Sequence, residues 1–148
     1  MAATLQQILL APDTQPAVFA DCFKLIEQEV SDMSGVSGAA VKLAYKTVTS
    51  FAPGYYHKTV EGLLPQIVEQ LEPYWADFSH SGGAVFGDYL AKRGEEVAES
   101  LLSVTDGLAA DCGRAVILRT YRSVRGSAAR HVEAALPRVG ELVQKYAV

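Results

Sequence analysis

Cysteine, tryptophan and long apolar runs are all scarce in this chain of 148 residues. Only Cys22 and Cys112 occur, far apart in sequence. Two isolated thiols give no disulfide framework and point to a reducing compartment. No apolar run approaches the roughly 18–20 residues that a membrane span needs. The opening Met1-Ala2-Ala3-Thr4-Leu5-Gln6-Gln7 has no basic residue and no long apolar core, which sets it apart from a secretory signal. These absences together predict a cytoplasmic protein without a membrane partner. Alternating apolar and polar residues, the mark of a half-buried strand, are also missing.

What the chain does have is apolar residues at helical spacing. Hydrophobic residues make up 49% and charged residues 20%, ordinary proportions for one folded domain with a sizeable core. Thr4-Leu5-Gln6-Gln7 reads as a capping box that opens a short helix through Leu10. A second helix begins near Pro16, a residue suited to a first turn. It buries Val18, Phe19, Cys22, Leu25, Ile26, Val30 and Met33, and ends at Gly35 in the left-handed conformation. Ser37 is the expected cap of a third helix, with Val36 and Val41 as its hydrophobic staple. Pro53-Gly54 breaks the chain before a fourth helix, Tyr55 to Leu71. Residues 73–83 read as an irregular connector rich in aromatics and glycine. Four more helices are expected beyond it, the last two built around Ile117, Tyr121 and Val124, and around Val132, Leu136, Val139, Val143 and Tyr146.

An internal match suggests duplication. Ala44-Tyr45-Lys46-Thr47-Val48 resembles Thr120-Tyr121-Arg122-Ser123-Val124. Val60-Glu61-Gly62-Leu63-Leu64-Pro65 resembles Val132-Glu133-Ala134-Ala135-Leu136-Pro137. The order is the same, and both longer segments carry a mid-helix proline, which costs about 3 kcal/mol in a regular helix. At 100° per residue, Pro65 and Pro137 fall opposite the apolar faces of their helices, toward solvent. The expectation is an all-α bundle of two related three-helix units about a pseudo-twofold axis. The halves would span about 14–72 and 84–147, with 38–72 and 113–146 superposing as helix pairs.

Leu10-Ala11-Pro12-Asp13, Ser34-Gly35-Val36-Ser37-Gly38-Ala39-Ala40, Phe86-Gly87-Asp88-Tyr89-Leu90 and Val132-Glu133-Ala134-Ala135-Leu136-Pro137 are similar to segments of an uncharacterised bacterial helical family with no assigned function. The resemblance covers nearly the whole chain. It implies a bacterial origin and brings no active site with it.

Chemically suggestive groupings are thin. His57 and Glu61 stand four apart on one helix, but two ligands are too few for a metal site. Cys112 lies near a helix start beside Asp111 and Arg114, which act on its pKa in opposite directions. Ser81-Gly82-Gly83 lacks the Gly-Lys-Ser/Thr ending of a phosphate loop. Glu29 falls on an apolar face, where a carboxylate needs a partner, and Tyr45 or Tyr121 is the expected one. Tyr74, Trp75, Phe78, His80 and Phe86 form either an apolar ligand pocket or a plug that seals the two halves, and the plug is favoured.

The charge distribution is lopsided. Residues 1–112 carry 15 acidic and 6 basic side chains, whereas 113–148 carry 2 acidic and 7 basic ones. Arg114, Arg119, Arg122 and Arg125 form a stripe on one helix. A net charge of −4 weighs against nucleic acid as its partner. The stripe is expected to pair with carboxylates such as Glu27, Glu69, Glu72, Glu95, Glu96 and Glu99, within one chain or across a dimer. The composition favours a non-catalytic structural or protein-interaction domain forming a homo-oligomer, with no metal or cofactor. A small-molecule binding bundle is the first alternative, and an enzyme the second.

Overall fold

Thr4 starts the first helix as its sequence requires. Its hydroxyl accepts from the Gln7 backbone N–H at 3.2 Å, and the Gln7 side chain accepts from the Thr4 N–H at 3.0 Å. The computed structural model describes residues 4–147 apart from 52 and 112. Among them are seven helices and no strand: α1 (Leu5–Leu9), α2 (Gln15–Asp32), α3 (Gly35–Phe51), α4 (Pro53–Ser81), α5 (Phe86–Lys92), α6 (Gly94–Asp111) and α7 (Ala115–Tyr146). The protein is an all-α bundle. None of its helices is long and apolar enough to cross a membrane.

Pro16 lies in the first turn of α2, and Gly35 adopts φ +78° between α2 and α3, both as expected. Other boundaries differ from the sequence reading. Helix α3 starts at Gly35, two residues before Ser37. Val36 is therefore helical and 91% exposed, and it does not act as a staple. Helix α4 runs through residues 73–81 instead of yielding to a connector. Pro65 and Pro73 both face solvent. Glu61 and Glu69, whose carbonyls lose their N–H partners to these prolines, lie on the exposed side too, where water replaces the lost bonds. The chain turns only at Gly82, with φ +73°.

Residues 115–146 are one helix of 32 residues, not a pair. Helix α3 ends at Phe51 and α4 begins at Pro53, whereas no such break interrupts α7. The expected second helix pair over 113–146 is therefore a single helix, while the expected halves, 14–72 and 84–147, each hold three helices, α2 to α4 and α5 to α7.

The core gathers at one end. Leu5, Leu9, Val18, Leu64, Val68, Leu71, Phe78, Phe86, Leu90, Val97, Leu136 and Val143 form one buried cluster. At its centre α5 lies on α7 backbone to backbone. A Cβ built on Gly140 would stand 2.2 Å from the Gly87 nitrogen, so only glycine permits this approach. Gln144 secures the crossing, accepting from the Phe86 N–H at 2.8 Å and donating to the Ala84 carbonyl at 3.1 Å. Phe86 is fully buried and meets the rings of Trp75 at 5.0 Å and Phe78 at 5.1 Å.

Candidate functional site: an apolar cavity at the open end

Away from that core the helices diverge. Between α3, the start of α4, the end of α6 and the first half of α7 lies a cavity of about 340 Å³. That volume falls within the usual range for small-molecule sites, roughly 300–1,000 Å³. Its wall is almost wholly apolar and includes Val41, Val48, Val60, Leu63, Leu108 and Ile117. Both copies of the repeated segment face it: Ala44, Tyr45 and Val48 from α3, and Thr120, Tyr121 and Val124 from α7. The two turns are brought together because α3 packs along α7.

The few polar groups on this wall are mostly engaged. Tyr121 Oη donates to Asp106 Oδ1 at 2.5 Å and lies 2.8 Å from Thr105 Oγ1. Thr120 Oγ1 donates to the Val116 carbonyl at 2.7 Å. Arg125 Nε donates to Asp106 at 2.8 Å and its Nη2 to Glu99 at 3.2 Å. The Arg125 and Tyr121 hydrogen bonds hold the Asp106 carboxyl below the usual carboxylate range. Burial, reinforced by Asp106, raises the Tyr121 phenol.

Tyr56 is the exception. Its hydroxyl is shielded from solvent and accepts or donates no well-formed hydrogen bond among the described residues. Tyr45 meets the Tyr56 ring edge to face, with centroids 5.8 Å apart. Burial pushes the Tyr56 phenol far above the ordinary tyrosine range, with Tyr45 and Glu27 acting the same way. A buried hydroxyl left in this state costs about 1–3 kcal/mol relative to a satisfied one. Phe23 packs against Tyr56 with its ring tilted, at 5.7 Å, and against the exposed His57 at 4.4 Å.

The residues singled out from the sequence are placed as follows. Tyr45 and Tyr121 meet at the cavity, but neither serves Glu29. Glu29 is 13% exposed and receives Arg138 Nη1 at 3.0 Å, while Arg138 Nη2 reaches Asp32 at 2.7 Å. These three residues line a separate polar cleft with His131, whose buried Nε2 has no partner among the described residues. Trp75, Phe78 and Phe86 pack on one another in the core. Tyr74 reaches Ser100 at 3.4 Å, and His80 is exposed. In the basic stripe, Arg125 pairs with carboxylates, and Arg114 lies over the Tyr55 ring at 4.6 Å. Arg119 and Arg122 are exposed and make no ion pair among the described residues. His57 and Glu61 are exposed, and no cluster of three metal-ligating side chains occurs among the described residues. Burial raises the Cys22 thiol to about 11, in keeping with a small hydrophobe. Cys112 lies outside the described residues.

The sequence reading missed Tyr55 and Tyr56 as wall residues and missed the cavity itself. The signal available was the repeated Tyr45 and Tyr121 segment, whose two copies line one space.

A family model described as a family of unknown function (DUF6918) matches residues 5–147, and the chain belongs to that family. No curated protein and no solved structure matches the chain.

Proposed function

We propose that this member of a family of unknown function is a non-catalytic binding protein that holds a small, mainly apolar molecule in the open-end cavity. One observation carries the reading: four helices converge on an apolar space that their own side chains do not fill. Apolar surface left uncovered is stabilising only when something covers it, at about 25 cal/mol per Å². The wall offers shape and hydrophobic contact, with phenols and threonine hydroxyls as its polar complement, a composition suited to retention of a molecule.

The test is a titration with dodecanol, followed by calorimetry and thermal melting. The wild-type chain should bind and gain stability with ligand concentration. Ala44→Phe and Val124→Phe, which put a ring into the cavity, should abolish both effects. Unchanged binding in the two filled variants would reject this site.

A second reading has one observation of its own. Val36 is 91% and Leu43 67% exposed on α3, and at seven residues apart they share one face of the helix, an apolar stripe of the kind an interaction domain covers with a partner. Its partner would be a second copy of the chain. Sedimentation of the wild type against Leu43→Glu tests it, a dimer that dissociates in the variant being the expected result.

A further inference from the structure

We infer that the molecule held in the cavity is an anionic amphiphile, an acyl or aryl chain ending in a carboxylate, with its charged end at the Arg114 side. The inference rests on the cavity reading above and goes further, since an apolar space by itself says nothing about charge.

The wall segments differ in charge from the rest of the chain. Residues 35–60 and 113–130 contain Lys42, Lys46, Lys58, Arg114, Arg119, Arg122, Arg125 and Arg130, and no Asp or Glu. All 17 acidic residues lie outside these two segments, accompanied by only five of the 13 basic ones. The two segments supply α3, the start of α4 and the first half of α7, which are three of the cavity's four principal walls. A net acidic protein therefore presents a basic end, and the apolar cavity opens within it. Acidic residues do approach this end from neighbouring elements: Asp106 and Glu99 on α6 pair with Arg125, and Glu27 on α2 acts on the Tyr56 phenol. Asp106 is already neutralised by Arg125.

Geometry links the charge to the wall at one point. The Arg114 guanidinium carbon stands 4.6 Å from the centre of the Tyr55 ring, and Tyr55 lines the cavity. This guanidinium over a wall aromatic brings a positive charge to the cavity's edge, and its planar fork matches a carboxylate. Arg119 and Arg122 follow on the exposed side of α7 and add long-range attraction. A cation would meet repulsion at the rim, and a neutral molecule would gain only the apolar contact. A basic end with exposed Val36 and Leu43 also resembles a surface for anionic membranes, and the experiment separates that source of the anion.

The test compares three amphiphiles of equal chain length with the whole protein, each below its micelle concentration: dodecanoate, dodecanol and dodecylammonium. At low salt, dodecanoate should bind at least tenfold tighter than dodecanol, and dodecylammonium more weakly than either. Raising the salt should shrink the first ratio. Arg114→Gln should reduce it at least threefold while leaving the affinity for dodecanol unchanged. Arg119→Gln with Arg122→Gln should reduce the salt dependence without altering dodecanol binding. If dodecanol binds as tightly as dodecanoate, the anionic reading is wrong and the cavity reading stands. If none of the three binds, the cavity reading fails as well. Co-sedimentation with phosphatidylglycerol vesicles, without binding of monomeric dodecanoate, would overturn the proposal in favour of a membrane surface.

Discussion

At the closed end of the bundle, α5 rests on α7 with no side chain between Gly87 and Gly140, and Phe86, Leu90, Leu136 and Val143 are buried to within 1%. At the open end, the same helix α7 meets α3 and α4 across a space of about 340 Å³, and no residue of its first half is buried. One helix thus serves two kinds of packing. On the proposed reading, the contrast keeps stability and binding at opposite ends. The closed end excludes water and fixes the topology, and the open end is free to leave apolar surface for something else. Regions of lower local stability are where binding elements are usually found.

The strongest way to break the comparison is at the closed end. Phe86→Ala should cost about 3–5 kcal/mol in urea denaturation, as for other enclosed rings. Gly140→Ala should also destabilise strongly, by about 1–3 kcal/mol or more, because its methyl group meets rigid backbone. Trp75→Ala should cost less than Phe86→Ala, since Trp75 is only half-buried.

Open-end substitutions should behave differently. Ile117→Ala should cost less than the roughly 2–5 kcal/mol typical of an enclosed isoleucine, its side chain already bordering a space. Ala44→Leu, which fills part of that space, should stabilise the protein by about 0.5–2 kcal/mol. Equal losses at Ile117 and Phe86 would erase the distinction between the two ends.

A smaller effect is expected with pH. Asp106 is held low by Arg125 and Tyr121, and Asp21 by Lys145 and Tyr146. A carboxyl whose folded pKa is depressed adds stability that is present above its unfolded value, near 3.8. That stability is lost as pH falls through the folded value. Melting temperature should therefore drop below about pH 4, and Asp106→Asn should lessen the drop. Smallest of all, a chelator should leave the melting curve where it is, and a fall restored by zinc would reopen His57 and Glu61.

Much of the fold was legible because local chemistry decided it. Thr4 and Gln7 form the capping box their spacing predicts, Gly35 takes the left-handed turn, and Pro65 and Pro137 face solvent. The errors also have local causes. Pro73 read as a stop, but an exposed proline whose freed carbonyl meets water is tolerated within α4. Residues 113–146 read as two helices, but they hold no Pro-Gly pair like Pro53-Gly54 and run as one. The cavity was not legible. Helical periodicity reports that Val48 or Ile117 turns inward, and says nothing about whether another side chain meets it there. The repeated Tyr45 and Tyr121 segments pointed to the place, but only the crossing of α3 and α7 brings them onto one space.

On the proposed reading the open end, and not the closed end, takes up a small apolar molecule. Methyl-resolved NMR during titration with dodecanol tests it most directly. Saturable shifts are expected at Val41, Val48, Val60, Leu63, Leu108 and Val124, with Leu90, Leu136 and Val143 unmoved. Shifts centred on Leu90 and Leu136, or spread evenly over both ends, would contradict it.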